Sequence, residues 1–149
     1  MAKFVYEMQN LLNLKEKLEE QKKAAFGVAK SKLDEEEQKL EELFYKKAGY
    51  QQRLVECFSS KLDLADIKKN EEALKIVQMK IEHQSIIVKQ AERQVELARI
   101  QLTEAMKERK THEKLREKAF EAFKSELLHE EGKEVDELVS FKYGNAKGE

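Results

Sequence analysis

Apolar residues recur along this chain in alternating steps of three and four, the spacing of the inward-facing edge of a supercoiled helix. Between Ile67 and Ala105 the spacing holds for six heptads, and we call its positions the seam. A strict seven-residue repeat of this length predicts a left-handed coiled coil. The predicted seam positions are Ile67, Asn70, Leu74, Val77, Ile81, Gln84, Val88, Ala91, Val95, Ala98, Leu102 and Ala105.

The first part of the chain carries the same period less regularly. Between Ala29 and Leu40 the phase drifts through the acidic run 34–37, which predicts a stutter in the repeat. The predicted seam positions in this first part are Phe4, Met8, Leu11, Leu18, Ala25, Ala29, Leu40, Leu43, Tyr50, Leu54 and Cys57.

Polar Asn70 and Gln84 weaken the seam of the second helix but can fix its register.

One interruption separates the two periodic stretches, at Ser59-Ser60-Lys61-Leu62-Asp63. Serine and aspartate cap helices and form turns, and Asp63 with Asp66 marks the start of a second helix. The pattern therefore predicts helix 3–58, turn 59–64, helix 65–139 and a frayed tail 143–149. A short connection between long helices makes them antiparallel neighbours. We expect an all-α protein whose residues 1–149 form a single antiparallel coiled-coil hairpin, with the second helix longer and overhanging.

Folding the chain back at about residue 62 also predicts which residues meet across the hairpin. Leu43 then lies opposite Ile81, Tyr50 opposite Leu74, Ala29 opposite Val95, and Phe4 opposite Phe120. Small residues thus tend to face larger ones, as interdigitating layers require.

Composition supports long helices and excludes several classes of function. The chain has no proline, and 40% of its residues are charged, with a net charge of −1. Balanced charge argues against a nucleic-acid partner, which calls for a basic excess. No apolar run approaches the roughly 18 residues that span a bilayer, so direct membrane insertion is not expected. The first residues lack the apolar core of a secretory signal, and the single Cys57 suits a reducing cytoplasm.

The sequence offers no recognisable catalytic or ligand-binding constellation. His83, His112 and His129 are not three or four residues apart, so no two share a helix face that could hold a metal. There is no glycine-rich phosphate loop, and two helices alone enclose no cavity. We therefore predict no enzyme activity, no cofactor, no metal and no small-molecule ligand.

Apolar residues outside the seam predict surfaces that bind other proteins. Phe44 and Phe58 lie beside the seam and Tyr45 points outward, while Met79 and Ile86 lie on the far face of the second helix. Exposed apolar residues grouped in this way indicate a docking surface. A second apolar face lies where the second helix extends past the N-terminal end of the first helix, at Ala119, Phe120, Phe123, Leu127 and Leu128.

The chain resembles the flagellar FliJ family over nearly its whole length, and three blocks of sequence carry most of that resemblance. They are the opening 3–12 (KFVYEMQNLL), the later 110–120 (KTHEKLREKAF) and the closing 133–137 (KEVDE). The resemblance implies a non-enzymatic component of the flagellar type III export apparatus, shaped like the central stalk of a rotary ATPase. Its implied partners are the hexameric export ATPase, the membrane export-gate protein and export chaperones. Its implied location is the cytoplasmic face of the cell membrane, at the base of the flagellum.

The resemblance also implies which residues carry these contacts. Candidates for the ATPase contact are in the terminal half: Glu113, Lys114, Leu115, Lys118, Lys133, Asp136 and Glu137. Candidates for the gate contact are nearer the turn: Leu43, Tyr50, Ala73, Val77 and Ile81. The exposed-apolar argument adds Phe44, Tyr45 and Met79 to the gate group.

Two other functions fit a coiled coil of this size. A prefoldin-like holdase chaperone would grip unfolded clients, but it needs an oligomerisation element that the short turn does not supply. A structural coiled coil that dimerises in parallel would have no break near residue 60. Only the resemblance favours a flagellar system over a virulence-type relative.

Overall fold

The structure is a computed structural model that describes residues 2–59 and 63–147, with side chains described as far as residue 144. It contains two α-helices, α1 (Gln9–Ser59) and α2 (Leu64–Lys147), and no strand within the described residues. The two helices pack against each other in antiparallel order, and α2 is the longer. The predicted all-α antiparallel hairpin is thereby confirmed. Of the predicted turn, residues 60–62 lie outside the described residues.

The start of α2 is capped as its sequence predicts. The Asp63 carboxylate accepts a hydrogen bond from the backbone N–H of Ala65 at 3.0 Å, and its carbonyl oxygen accepts one from Ile67 at 3.1 Å. The bond to the Asp63 side chain satisfies the Ala65 N–H, which the first helical turn leaves without a backbone partner, and the bond from Ile67 is the first of the helix's own ladder. At the end of α1 the Ser59 hydroxyl donates to the carbonyl oxygens of Val55 and Glu56.

Both helices differ from their predicted ends. The prediction started α1 at Lys3, but residues 2–6 are not helical and α1 begins at Gln9, whose N–H donates to the Tyr6 carbonyl oxygen. No Ser, Thr, Asp or Asn precedes Gln9 to cap an earlier start, and the Phe4 ring instead packs on α2. The prediction ended α2 at 139 with a frayed tail from 143, but the helix continues to Lys147. No described glycine adopts a positive φ there, so none forms the left-handed cap that ends many helices.

The chain divides into two compact units, each built from a part of both helices. Unit 1 comprises Met1–Glu20 and Glu104–Glu149, and unit 2 comprises Gln21–Thr103. Since the chain divides into two units, the prediction that residues 1–149 form one hairpin domain stays a prediction.

In unit 2 the seam of α2 follows the heptads predicted for it. Every predicted position from Ile67 to Leu102 is buried or half-buried, and Val77 and Ile81 are each only 5% exposed. Lys22 bonds to Gln101 and Lys47 to Gln78, which matches a fold-back near residue 62. Apolar burial along this narrow seam stabilises the pairing of the helices, at roughly 25 cal/mol per Å² of apolar surface removed from water.

The seam of α1 in unit 2 is more regular than its sequence predicted. The predicted stutter between Ala29 and Leu40 is absent, because Leu33 and Glu36 take up consecutive seam positions and keep the three-four spacing. Ala25, predicted to face inward, is exposed, and its neighbour Phe26 is half-buried in its place. The predicted heptad phase differs from the observed one because Glu36 occupies a seam position, where the pattern predicts an apolar residue.

Unit 1 pairs the first residues of the chain with the second half of α2. Leu12 and Ala105 are its buried apolar residues, at 3% and 5% exposure. The Phe4 ring lies 5.1 Å from that of Phe120, centroid to centroid, so the predicted pairing of these two residues is confirmed. Predicted Met8 is 52% exposed and does not contribute to this seam.

Candidate functional sites

A groove on unit 2 runs beside the seam between α1 and α2, with a volume of about 470 Å³. Its α1 wall consists of Lys39, Glu42, Leu43 and Lys46. Residues three, four and seven apart share one face of a helix, so these four side chains line the same side of α1. Leu43 is half-buried at the floor, and the charged residues lie around it.

The opposite wall of this groove comes from α2 and consists of Met79, Lys80, His83 and Gln84. Met79 is 70% exposed, so its thioether presents a flexible apolar surface to the groove. We call the whole feature the lysine groove, because Lys39, Lys46 and Lys80 contribute its positive charge against the single carboxylate of Glu42. Sequence reasoning missed these lysines, although Lys39 and Lys46 stand one heptad apart.

The apolar residues predicted to lie outside the seam are exposed. Tyr45 is 83% exposed, Phe58 63% and Ile86 57%, and Phe44 retains half of its surface at 49%. With Met79 at 70%, the predicted exposure of this group is confirmed. Exposed aromatic residues near a groove add apolar contact area for a partner.

The gate-contact candidates separate into accessible and buried residues. Phe44, Tyr45 and Met79 are exposed, whereas Leu43, Tyr50 and Ala73 are half-buried. Val77 and Ile81 are buried seam residues, whose side chains hold α2 against α1. Of the eight candidates, the structure brings Leu43 and Met79 together in the lysine groove.

A polar layer crosses the seam of unit 2 next to this groove. The Gln84 side-chain amide donates to the Glu36 carbonyl oxygen at 3.0 Å and to the Glu36 carboxylate at 2.5 Å. Both residues are 8% exposed, and Lys39 reaches the same carboxylate at 3.3 Å. The bond from Gln84 lowers the pKa of the Glu36 carboxyl from its ordinary value of 4.5; burial opposes this shift, and Lys39 and Lys32 add to it.

The ATPase-contact candidates lie in unit 1, and one of them already has a partner within the chain. Arg109 donates to the Glu113 carboxylate at 2.8 Å and also bonds to Glu19 of α1. Bonds to Glu113 and Glu19 raise the pKa of the Arg109 guanidinium above its ordinary value. The bond from Arg109 to Glu19 joins the two helices, while Glu113 pairs with Arg109 on the same helix. Lys114, Leu115 and Lys118 are exposed.

The remaining three candidates lie on a part of α2 that α1 does not cover. Every side chain described from Leu128 to Gly144 is exposed, including Lys133, Asp136 and Glu137. Leu138 and Phe141 are 62% and 67% exposed, and with Glu134 and Glu137 they line a shallow groove. We call residues 128–144 the uncovered segment of α2.

An aromatic cluster closes the preceding part of unit 1. Phe4 packs against Phe120 and Phe123, with ring centroids 5.1 and 5.4 Å away, and the Arg116 guanidinium lies 5.7 Å from the Phe4 ring. Edge-to-face aromatic pairs and cations over ring faces are both favourable. The non-helical N-terminal residues thus cover part of the apolar face that the sequence predicted α1 would leave bare.

The described residues contain no group of three or more His, Cys, Asp or Glu that could hold a metal ion. Within the same residues no helix is long and apolar enough to cross a membrane. The described residues do present exposed apolar side chains bordered by charge, a combination that is common in protein–protein interfaces.

A sequence profile of a known protein family matches almost the entire chain. The sequence profile described as "Flagellar FliJ protein" matches residues 4–148. No curated protein and no solved structure matches the chain significantly. The FliJ family comprises non-enzymatic components related to flagellar export, and its profile covers all the elements described above. The chain belongs to the flagellar FliJ family.

Proposed function

We propose that this protein binds the hexameric ATPase of the flagellar export apparatus as a central stalk, through unit 1. Through unit 2 it contacts the membrane export-gate protein, and it assists the cycling of export chaperones. It acts at the cytoplasmic face of the membrane, at the base of the flagellum. The proposal rests on membership in the FliJ family and on one structural observation, the uncovered segment of α2.

The uncovered segment supports an ATPase contact because its side chains have no partner helix. Residues 130–137 include five carboxylates and one lysine, and apolar Val135 and Leu138 are 57% and 62% exposed beside them. An isolated helix of this length is only marginally stable in water, so a binding partner would stabilise it. A single stalk that meets six equivalent subunits contacts them unequally, and this asymmetry can drive sequential changes around a ring.

The proposal predicts that the protein stimulates assembly or turnover of its cognate ATPase. We would titrate the full chain into the ATPase and measure both hydrolysis and the fraction of hexamer. The test variant reverses three exposed charges of the uncovered segment, Lys133→Glu, Asp136→Lys and Glu137→Lys. It should lose most of the stimulation, since like charges would then face the contact.

A matched control reverses three exposed charges of unit 2, Lys89→Glu, Glu82→Lys and Glu92→Lys. It changes the net charge by the same amount and should stimulate as well as the wild type. If the wild-type chain changed neither hydrolysis nor hexamer fraction, the stalk function would be refuted. Equal losses in both triple variants would refute the assignment of the contact to the uncovered segment.

A further inference from the structure

We infer that the lysine groove of unit 2 binds an acidic amphipathic helix of a partner protein. The inference rests on the proposed gate contact and adds the chemistry of the segment that makes it. Nothing in the FliJ match specifies this chemistry. The charges of the groove and the spacing of its lysines indicate this chemistry.

The groove carries a positive charge that the chain itself largely leaves unpaired. Among the described residues, Lys46 and Lys80 make no ion pair, while Lys39 lies 3.3 Å from the buried Glu36 carboxylate. Glu42 is the only acidic residue among the side chains that line the groove. A bound segment with carboxylates at its edges would therefore complement both walls.

The floor of the groove is apolar and adaptable, as a helix-binding site requires. Leu43 of α1 and Met79 of α2 both line it, and exposed Tyr45 lines a second groove that shares residues with its α1 wall. Methionine changes its rotamer readily and so fits apolar side chains of different shape. Leucine-like residues of a bound helix would bury this floor and displace water from it.

The spacing of the lysines indicates a helix and its approximate register. Lys39 and Lys46 are seven residues apart on α1, about 10.5 Å along the helix axis. A helix lying alongside α1 meets both with carboxylates one heptad apart. Apolar residues three and four positions from each carboxylate would then reach Leu43 and Met79. This is coiled-coil pairing extended to a third helix, with acidic residues flanking its apolar edge.

The test measures binding of a labelled helical peptide to the full chain by fluorescence anisotropy. The acidic peptide has roughly three heptads, with leucine at the a and d positions and glutamate at e and g. A second peptide differs only in having lysine at e and g. We expect saturable binding of the acidic peptide, weakened by salt, and no comparable binding of the lysine peptide.

Charge reversal in the groove should exchange this preference. Lys46→Glu with Lys80→Glu should weaken binding of the acidic peptide by roughly tenfold or more and create binding of the lysine peptide. The gain of binding distinguishes a changed surface from a misfolded protein. The control variant, Lys23→Glu with Lys89→Glu, alters two exposed lysines that do not line the groove and should bind both peptides as the wild type does.

Four results of the peptide-binding experiment would overturn the inference. They are no binding of the acidic peptide, equal binding of both peptides, an equal loss in the control variant, and a dimer of the wild-type chain that the acidic peptide dissociates. The last would assign the groove to a second copy of the chain. Stimulation of the ATPase and binding of the cognate gate protein, measured on the same variants, test the proposed function separately. If they persist in Lys46→Glu/Lys80→Glu, the function stands and the groove inference fails.

Discussion

The side-chain amide of Gln84 on α2 bonds to both the carbonyl oxygen and the carboxylate of Glu36 on α1, inside the seam of unit 2. Only a narrow set of registers lets these two polar residues meet. If either helix shifted by a heptad, each would be buried against apolar side chains without a partner, and this is costly. The Glu36–Gln84 layer therefore fixes how the two helices are aligned, as the sequence predicted for Gln84.

Replacing Gln84 with leucine should lower the melting temperature, because it leaves the buried Glu36 carboxylate without its main donor. The double variant Glu36→Leu/Gln84→Leu should melt above the single variant, since an apolar pair suits the seam. Circular dichroism melts of the wild type, Gln84→Leu, Glu36→Leu and the double variant complete a double-mutant cycle. Additive effects of the two substitutions would contradict a direct coupling.

The stability of unit 2 should depend on pH through Glu36. Its pKa is lower in the folded chain than the ordinary value of 4.5, so folding favours the ionised form. The resulting stabilisation is complete above about pH 4.5 and is lost as the pH falls through the lower folded-state value. Glu36→Gln removes this titration. The difference in melting temperature between wild type and Glu36→Gln should therefore change below about pH 4.5, in favour of the variant, and stay constant from pH 6 to 8.

Two isoleucines of α2 offer a matched test of the seam. Ile81 is 5% exposed and Ile86 is 57% exposed. Ile81→Ala should reduce the free energy of unfolding by about 2 kcal/mol or more, whereas Ile86→Ala should change it by about 0.5 kcal/mol or less. Urea unfolding measures both. Similar losses would mean that the assigned seam is wrong.

The N-terminal residues of unit 1 should contribute to stability although they are not helical. Phe4→Ala removes the ring contacts with Phe120 and Phe123 and should cost about 1 kcal/mol or more. Val5→Ala, at a position 76% exposed, serves as the control and should be nearly neutral. Limited proteolysis provides a second readout, because release of Phe4 should speed cleavage within residues 2–8.

The Arg109 contacts should stabilise unit 1 more than a surface pair does. Arg109 bonds to Glu19 on α1 and Glu113 on α2, and its side chain is 21% exposed, whereas Arg99 pairs with Glu96 on the same helix at 55% exposure. Arg109→Met should lower the melting temperature, and Arg99→Met should hardly change it. Added salt should reduce the difference between Arg109→Met and wild type, since screening weakens ion pairs. Equal effects of the two variants would contradict a role of Arg109 in joining the helices.

The sequence by itself determined the fold class, the antiparallel pairing and nearly all of the α2 seam. Seam positions recur every seven residues, so their burial follows from the spacing alone. Asp63 was likewise predictable, because capping depends on a few neighbouring residues. The exposure of Phe44, Tyr45 and Met79 followed from the same count, since the partner helix does not bury residues outside the seam.

Only the tertiary structure decided which polar residues are buried and which charges meet. Glu36 breaks the apolar pattern, and its place in the seam depends on Gln84, which lies 48 positions along the chain. The lysine groove likewise combines Lys46 with Lys80 from the other helix. The start of α1 at Gln9, later than predicted, leaves Phe4 outside the helix, where its ring packs on Phe120. Local spacing determines which face of a helix is apolar, but interactions between charged and aromatic side chains distant in sequence depend on how the two helices are aligned.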